Sequence, residues 1–356
     1  MKKKVLVILC AALIAALALG LTACGGGSGS GENGEVYVYS LGDYIDPDLV
    51  SVFEEETGIK VILDTFDTNE EMYPVVAKNT VSYDVICTSD YMIERMMGEG
   101  LLQEIDHANL PNLSNMMPEY LEMADSFDPG NKYAIPHTWG TLGIMYNSDN
   151  IPEGALTSWN DLWDEKYEQQ IVMPDSMRDN YAIALRALGY SINSVDENEL
   201  IEATQLMIDQ KPLVYKYAND SARDMAIGGS ADIAVVWSGE VLYSRADNES
   251  LRFVIPKEGS EEFLDMWAIP AAAKNKANAE AWINFMLDQD TAVTNYEYLT
   301  YTIPNTAVYD YVSENPEDLA VVFPEDSVIA NCEMLHSLGA ANDDLYSSYW
   351  KQFKAE

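Results

Sequence analysis

Short apolar runs alternate with segments that carry helix signals in the first third of the chain. The apolar runs have the length and the β-branched and aromatic content of strands. In chain order, the pattern predicts strand 35–40, helix 46–58, strand 59–66, helix 68–76, strand 83–90 and helix 91–100. This alternation predicts a parallel-rich α/β layer with right-handed crossovers.

The first two helices have recognisable start or stop signals. Asp46 can cap the first helix, Pro47 suits its first turn and Gly58 suits its end. The second helix opens with Thr68 and Glu71 at the spacing of a capping box. These signals place helices between the predicted strands.

Two β-rich segments organise the rest of the chain. Segments 133–147 and 263–270 are predicted to cross between two structural units, and 231–237 is predicted to be a buried strand. Helices are predicted at 158–168, 180–190, 198–210, 278–299 and 343–355. A body of about 320 residues exceeds one ordinary core, so we expect an α/β fold with two lobes.

Three predicted strands end in small, acidic and aromatic residues instead of ordinary turn residues. The ends read "SLGDY" (40–44), "SDY" (89–91) and "WSGE" (237–240). In open α/β sheets, ligands bind beyond the carboxyl ends of the strands. Trp237 is therefore predicted to face a ligand, although a core role for a single tryptophan stays open. Glu240 is predicted to cap the following helix.

The N-terminal segment has the pattern of a secretory signal. Met1–Lys4 is basic, Val5–Leu19 is almost wholly apolar and shorter than a membrane span of about 20 residues, and "LTAC" (21–24) resembles a bacterial lipobox. By this resemblance, residues 1–23 are a signal peptide and Cys24 carries the lipid. The Gly/Ser-rich segment 24–34 is then a flexible tether. An uncleaved N-terminal anchor helix stays open as an alternative.

The composition is strongly acidic. The chain has 59 Asp and Glu against 20 Lys and Arg, for a formal net charge of −39. This charge therefore disfavours nucleic acid and anionic lipid surfaces as partners of the body and favours cationic ligands. A general solubility bias would also produce this charge.

Residues with metal-binding or nucleophilic chemistry are few. The three histidines, His107, His137 and His336, form no H-x-x-x-H pair, and the chain has no C-x-x-C and no G-x-S-x-G motif. We therefore predict no enzyme, no cofactor and no metal site, although a two-carboxylate glycosidase stays open. Cys87 and Cys332 could pair, but a free buried thiol is favoured.

Several segments resemble the spermidine/putrescine-binding proteins of bacterial ABC importers. They include "GLLQEIDHANLPNL" (100–113), "YAIPHTWGTLGIMYN" (133–147) and "AIPAAAKNKANAEAWINFML" (268–287), and the similarity is collinear from about residue 36 onwards. The resemblance implies a two-lobed periplasmic-binding-protein fold of type II, with the ligand cleft between the lobes. It also implies a monomer that works outside the cytoplasm, anchored at the cell membrane, with an ABC permease as partner.

We expect each lobe to be built from two parts of the chain. Lobe one comprises 35–141 plus 265–310, and lobe two comprises 142–264 plus 311–356. The two β-rich crossing segments join the lobes, and hinge closure around the ligand is the expected motion.

The resemblance carries the family's ligand-binding positions onto nine residues of this sequence. These are Asp43, Tyr44, Ser89, Tyr91, Asp179, Trp237, Phe263, Asp265 and Tyr301. The sequence departs from the family in three places: Leu41 and Phe263 stand where the family has tryptophan, and Ser176 stands where it has aspartate. A family glutamine has no clear counterpart near Leu335–His336.

The residue types at these positions fit the chemistry of a polyamine. A buried ammonium requires a carboxylate partner, which Asp265 and Asp179 can supply. Aromatic faces accept both the methylene stem and the charge, at roughly 0.5–2 kcal/mol for each cation–π contact. The three departures leave putrescine, spermidine and another small amine open as ligands, and a signalling receptor of the same fold stays open as a function.

Overall fold

The structure is a computed structural model, and it describes residues 33–42, 44–219 and 221–356. The predicted signal peptide, Cys24, most of the predicted tether and Asp43 lie outside the described residues. Within the described ranges, no helix is both long enough and apolar enough to cross a membrane.

Eleven strands in the described part of the chain join one mixed sheet. They are β1 (Glu35–Leu41), β2 (Lys60–Phe66), β3 (Val85–Ser89), β4 (Leu102–Gln103), β5 (Ala134–Asn147), β6 (Ile171–Met173), β7 (Val214–Tyr217), β8 (Ile233–Trp237), β9 (Leu251–Val254), β10 (Glu261–Pro270) and β11 (Glu333–Met334). The main path through the sheet is β2-β1-β3-β10-β5-β8-β6-β7, with β4 and β11 paired to β10 and β9 paired to β5.

Fourteen α-helices in the described residues pack against this sheet and against one another. They are α1 (Pro47–Thr57), α2 (Asn69–Ala77), α3 (Asp90–Gly98), α4 (Pro118–Asp125), α5 (Met177–Leu188), α6 (Glu197–Gln210), α7 (Ser221–Ile227), α8 (Gly239–Asp247), α9 (Lys276–Met286), α10 (Gln289–Leu299), α11 (Thr306–Val312), α12 (Pro316–Val322), α13 (Asp326–Ile329) and α14 (Ala340–Ala355).

The predicted parallel layer and the predicted crossing segments are both confirmed. Strand β1 pairs in parallel with β2 and β3, and β6 pairs in parallel with β7 and β8. Between these two sets lie the long strands β5 and β10, which are antiparallel to each other. On one side β10 pairs with β3, and on the other side β5 pairs with β8. The lobe boundaries themselves stay a prediction.

Separate apolar clusters cover the two parts of the sheet. Beside β1–β3, helices α1 and α9 pack Phe53 against Trp282, with ring centroids 5.1 Å apart. Beside β5, β6 and β8, the wholly buried Trp159 packs on strand residues. Helices α5 and α14 meet through Tyr181 and Tyr346, whose ring centroids are 4.8 Å apart. This packing holds the strand ends that form the cleft described below.

The predicted helix signals are confirmed at α1 and α2. The carboxylate of Asp46 accepts the backbone N–H of Asp48, and Gly58 ends α1 with a φ of 69°, in the left-handed region that favours glycine. At α2, the hydroxyl of Thr68 accepts the N–H of Glu71 at 3.3 Å.

Two helix predictions are corrected. Segment 158–168 forms two short 3-10 turns instead of one helix, because extended residues flank both turns and Asp164 caps the second one. Segment 278–299 divides into α9 and α10, because Asp288 is extended and its carboxylate accepts the N–H groups of Asp290 and Thr291. An interior N-cap of this kind starts a new helix.

The two body cysteines are free thiols. Cys87 lies buried in β3, and Cys332 is partly buried before β11. Burial raises the pKa of Cys332 to about 11. The prediction of free thiols is confirmed.

Candidate functional site

A cavity of about 560 Å³ lies beyond the carboxyl ends of β1, β3 and β8 and along one face of β10. The strand ends contribute Leu41, Ser89 and Trp237, as the strand-end pattern predicts. Eight of the nine predicted site residues line this cavity, and the ninth, Asp43, lies outside the described residues. The structure therefore brings residues from distant parts of the chain to one cleft.

Asp265 presents a buried carboxylate to this cleft. It is 2% exposed and lies in β10 opposite Ser89 and Thr138. Its Oδ2 accepts the hydroxyl of Tyr44 at 2.5 Å and that of Thr138 at 3.5 Å. Its Oδ1 has no hydrogen-bond partner among the described residues. Burial raises the pKa of Asp265, while the neighbouring hydroxyl groups of Ser89, Tyr44 and Thr138 act in the opposite direction. This carboxylate is thus oriented by its neighbours and keeps one oxygen for a cation.

Aromatic side chains surround Asp265. The ring of Tyr301 lies between those of Tyr44 and Phe263, with centroid distances of 5.8 and 6.2 Å. Trp237 packs on the same cluster and is only partly buried, so one part of its indole contacts protein while another part faces the cavity. A cation on Asp265 would therefore contact several π faces.

Two glycines make room for these rings. A Cβ at Gly239 would stand 2.0 Å from the Tyr301 ring, and a Cβ at Gly140 would stand 2.8 Å from the Phe263 ring. Neither distance is compatible with a real side chain. The glycine that follows Trp237 and Ser238 therefore allows Tyr301 to lie against the start of α8.

Ser89 and Tyr91 are held by a side chain that sequence reasoning missed. Asn69, at the start of α2, donates to the Ser89 hydroxyl at 2.9 Å and to the Tyr91 hydroxyl at 3.1 Å. Its own oxygen accepts the hydroxyl of Thr88 at 2.5 Å. Tyr91 in turn donates to Glu70 at 3.1 Å. This network fixes the side of the cleft formed by β3.

Three more carboxyl groups lie deeper along the cleft. Asp90, Asp179 and Glu261 line the cavity and are 2%, 6% and 5% exposed. Burial raises the pKa of Asp179 to about 7, and the nearby charge of Glu70 also raises it. The positive charge of Arg178 lowers the pKa of all three groups. The cleft is consequently lined with buried acids whose ionised forms a cationic ligand would stabilise.

The prediction for Glu240 is corrected. Ser238 occupies the N-cap position of α8, and Glu240 lies in the first turn with 8% exposure. Its carboxylate accepts the hydroxyl of Tyr301 at 2.8 Å and pairs with Arg223 at 2.9 Å. Glu240 therefore belongs to the cleft wall instead of capping its helix, because partners distant in sequence direct its side chain.

The family departures also lie at the cavity. Leu41, Ser176 and Leu335 all line it. Ser176 contributes a hydrogen bond to Asp179, which lowers the pKa of that carboxyl. Leu41 and Leu335 offer apolar contact without a π face.

Comparison with known proteins identifies the family. The profile described as bacterial extracellular solute-binding protein matches residues 48–321. The chain belongs to this family. It is 35% identical to the spermidine/putrescine-binding periplasmic protein of Escherichia coli, over 96% of each chain. It is 31% identical to a putrescine-binding periplasmic protein of the same species, over 92% of this chain and 94% of that protein.

A solved structure of the same kind supports the fold. The substrate-binding protein of a spermidine/putrescine ABC transporter from Streptococcus pneumoniae superimposes with a TM-score of 0.77. The two proteins are 36% identical, over 90% of this chain and 98% of that chain. The predicted α/β fold of the periplasmic-binding type is thereby confirmed, and so is the membership of a solute-binding transport family.

Proposed function

We propose that this protein captures a polyamine, putrescine and/or spermidine, outside the cytoplasm and delivers it to an ABC permease. The observation that carries this proposal is Asp265, a buried carboxylate with one oxygen unpartnered among the described residues and with three rings around it. The printed functions of the relatives support the same ligand class.

The geometry of Asp265 suits a primary ammonium group. The ammonium donates to Oδ1, while Tyr44 and Thr138 hold Oδ2 in place, so the carboxylate needs no rearrangement on binding. Tyr44, Phe263 and Tyr301 contact the methylenes and the charge, which adds cation–π attraction in a desolvated setting. Neutral or anionic solutes lack the charge that would offset the burial of this acid.

The proposal includes the predicted attachment and motion. Cys24 carries a lipid that anchors the protein to the outer face of the cell membrane, and the segment up to residue 34 tethers the body. Lobe one (35–141 plus 265–310) and lobe two (142–264 plus 311–356) close on the ligand about β5 and β10. The binding unit in this proposal is a monomer.

Calorimetric titration of the full chain, purified in detergent, tests the ligand class. Putrescine or spermidine should bind with a measurable affinity and raise the melting temperature in a concentration-dependent way. Glutamate, maltose and Fe³⁺ serve as controls and should do neither. If another solute binds and millimolar polyamine has no effect, the proposed ligand class is wrong.

A further inference from the structure

Glu261 lies in the cleft without an assigned role. It is the first residue of β10, it is 5% exposed, and it lines the cavity together with Phe263 and Asp265. The two residues that alternate with these three do not line the cavity. Leu264 is wholly buried in an apolar cluster, and Glu262 lies outside the cavity lining. Side chains alternate along a strand, so every second residue lies on the same face. Glu261, Phe263 and Asp265 therefore place an acid, a ring and a second acid along one face of β10.

In the described part of the chain, no ion pair involves the Glu261 carboxylate. Its Oε2 is buried and has no hydrogen-bond partner among the described residues. The buried cation Arg178 donates instead to the carbonyl of His336 at 3.3 Å and to the side chain of Asn193 at 3.2 Å. Burial raises the pKa of Glu261 well above its ordinary value, and the charges of Asp179 and Asp90 raise it further. A buried acid in this setting gains most from a cation supplied from outside.

We propose that Glu261 is a further ligand-binding residue, which pairs with a second ammonium group of the ligand whose first ammonium pairs with Asp265. This inference rests on the proposed function and names the ligand subclass. Phe263, between the two acids, contacts the methylenes that separate the two charges.

The spacing of the two acids selects the length of the ligand. Glu261 and Asp265 are four steps apart along the strand, so their Cα atoms lie about 13 Å apart at roughly 3.3 Å per step. A zigzag chain advances roughly 1.25 Å per bond, so nine bonds between terminal nitrogens span about 11 Å and five bonds about 6 Å. Spermidine has nine such bonds and putrescine has five. An ammonium–carboxylate hydrogen bond of about 2.8 Å at each end means that parallel side chains require two nitrogens between about 7 and 13 Å apart. Spermidine falls within this range and pairs with both acids, whereas the four-carbon diamine falls just below it and pairs with one.

Titration of Glu261→Gln with five amines tests this assignment. The probes are spermidine, 1,8-diaminooctane, which has the same length without the central nitrogen, putrescine and N-acetylspermidine in both isomers. Glu261→Gln should weaken the binding of spermidine and of 1,8-diaminooctane by roughly 10- to 100-fold, because one ammonium group loses its buried carboxylate partner. The affinity for putrescine should change by less than about threefold, because putrescine occupies only the Asp265 position. Glu262→Gln, on the opposite face of the same strand, is the matched control and should change none of the affinities.

Acetylation supplies a readout that does not depend on folding of the variant. One isomer of N-acetylspermidine removes the charge at the Glu261 end, so it should bind the wild-type chain more weakly than spermidine, and Glu261→Gln should add little further loss. Glu261→Asp keeps the charge and should restore part of the spermidine affinity. Equal losses for putrescine and spermidine, or an unchanged spermidine affinity, would overturn the assignment. If the wild-type protein binds no polyamine, the proposed function is wrong as well. If it binds spermidine and Glu261→Gln does not change that affinity, only the assignment of Glu261 is wrong.

Discussion

Asp265→Asn tests the site at the residue on which the proposed function depends. The variant keeps the size of the side chain and an oxygen that can accept the Tyr44 hydroxyl, which now lies 2.5 Å from Oδ2. It removes the charge and places an amide donor where Oδ1 faces the ligand. The ammonium of the ligand then stays buried without a partner, which typically costs about 2–5 kcal/mol. This corresponds to an affinity loss of about 30-fold to several thousand-fold.

The stability of the ligand-free protein should respond in the opposite sense. Burial raises the pKa of Asp265, which means that its ionised form is unfavourable in the folded protein without ligand. Removing the charge should therefore leave the melting temperature unchanged or raise it slightly. With ligand at about 100 times the wild-type Kd, the wild-type protein gains about 2.7 kcal/mol of stability. After a thousandfold loss of affinity, the same ligand concentration contributes less than about 0.1 kcal/mol.

Calorimetry and thermal unfolding of two variants distinguish these effects. Asp64→Asn is the matched control, because Asp64 accepts the hydroxyl of Tyr83 at 2.8 Å and does not line the cavity. The control removes a similar tyrosine–carboxylate bond and should leave polyamine affinity intact. Binding within twofold of wild type in Asp265→Asn, or an equal loss in Asp64→Asn, would refute the reasoning.

Three further outcomes follow from the cleft geometry. Trp237→Ala should weaken polyamine binding by about 1–2 kcal/mol in calorimetry, the size of a desolvated cation–π contact, without unfolding the chain. Gly239→Ala should weaken binding by roughly tenfold or more in the same assay, because its Cβ would stand 2.0 Å from the Tyr301 ring and displace it. Affinity should rise as pH increases from about 6 to 8, because the pKa of Asp179 is about 7 and the ammonium requires its ionised form.

Each of these outcomes has a control that separates binding from folding. Trp163 is also partly buried, and its indole N–H donates to the carbonyl of Leu206 away from the cavity, so Trp163→Ala should lower stability without changing affinity. A Cβ at Gly98 has nothing within 4 Å, so Gly98→Ala should be silent. For the pH dependence, Asp179→Asn should flatten the rise between pH 6 and 8. A loss of stability without a loss of affinity in Trp237→Ala would mean that Trp237 is a core residue. Unchanged binding in Gly239→Ala would mean that the site tolerates displacement of Tyr301. A pH dependence that persists in Asp179→Asn would mean that other acids control it.

The sequence predicts the strand ends well because their signal is local. Leu41, Ser89 and Trp237 each follow an apolar run, and the rule that ligands bind beyond carboxyl ends brings all three to one cleft. Helix caps such as Asp46 are equally local and are found correctly. The β-rich character of segments 133–147 and 263–270 predicts strands there, and β5 and β10 are such strands, paired with each other.

The misses concern side chains whose direction depends on distant residues. Glu240 has the position of a helix-start acid, and only Tyr301 and Arg223 show that it faces the cleft. Glu261 escaped because strand β10 begins two residues before the predicted boundary at 263. A period-two reading of the acid, ring and acid at 261, 263 and 265 would have found it. Asn69 carries no signal of its own, since its role comes from hydrogen bonds to Ser89 and Tyr91.

Two kinds of interaction can rank ligands in this cleft: contacts with aromatic rings and ion pairs with carboxylates. Leu41 provides no π face, so up to roughly 2 kcal/mol of aromatic contribution is absent at that position, and the smaller ring of Phe263 loses only part of such a contribution. The carboxylates at Asp265 and Glu261 are buried, and loss of one partner from such a pair costs about 2–5 kcal/mol. In the proposed complex, charge spacing should therefore outweigh ring stacking, and the distance between ammonium groups should rank ligands more strongly than the apolar area of their stems.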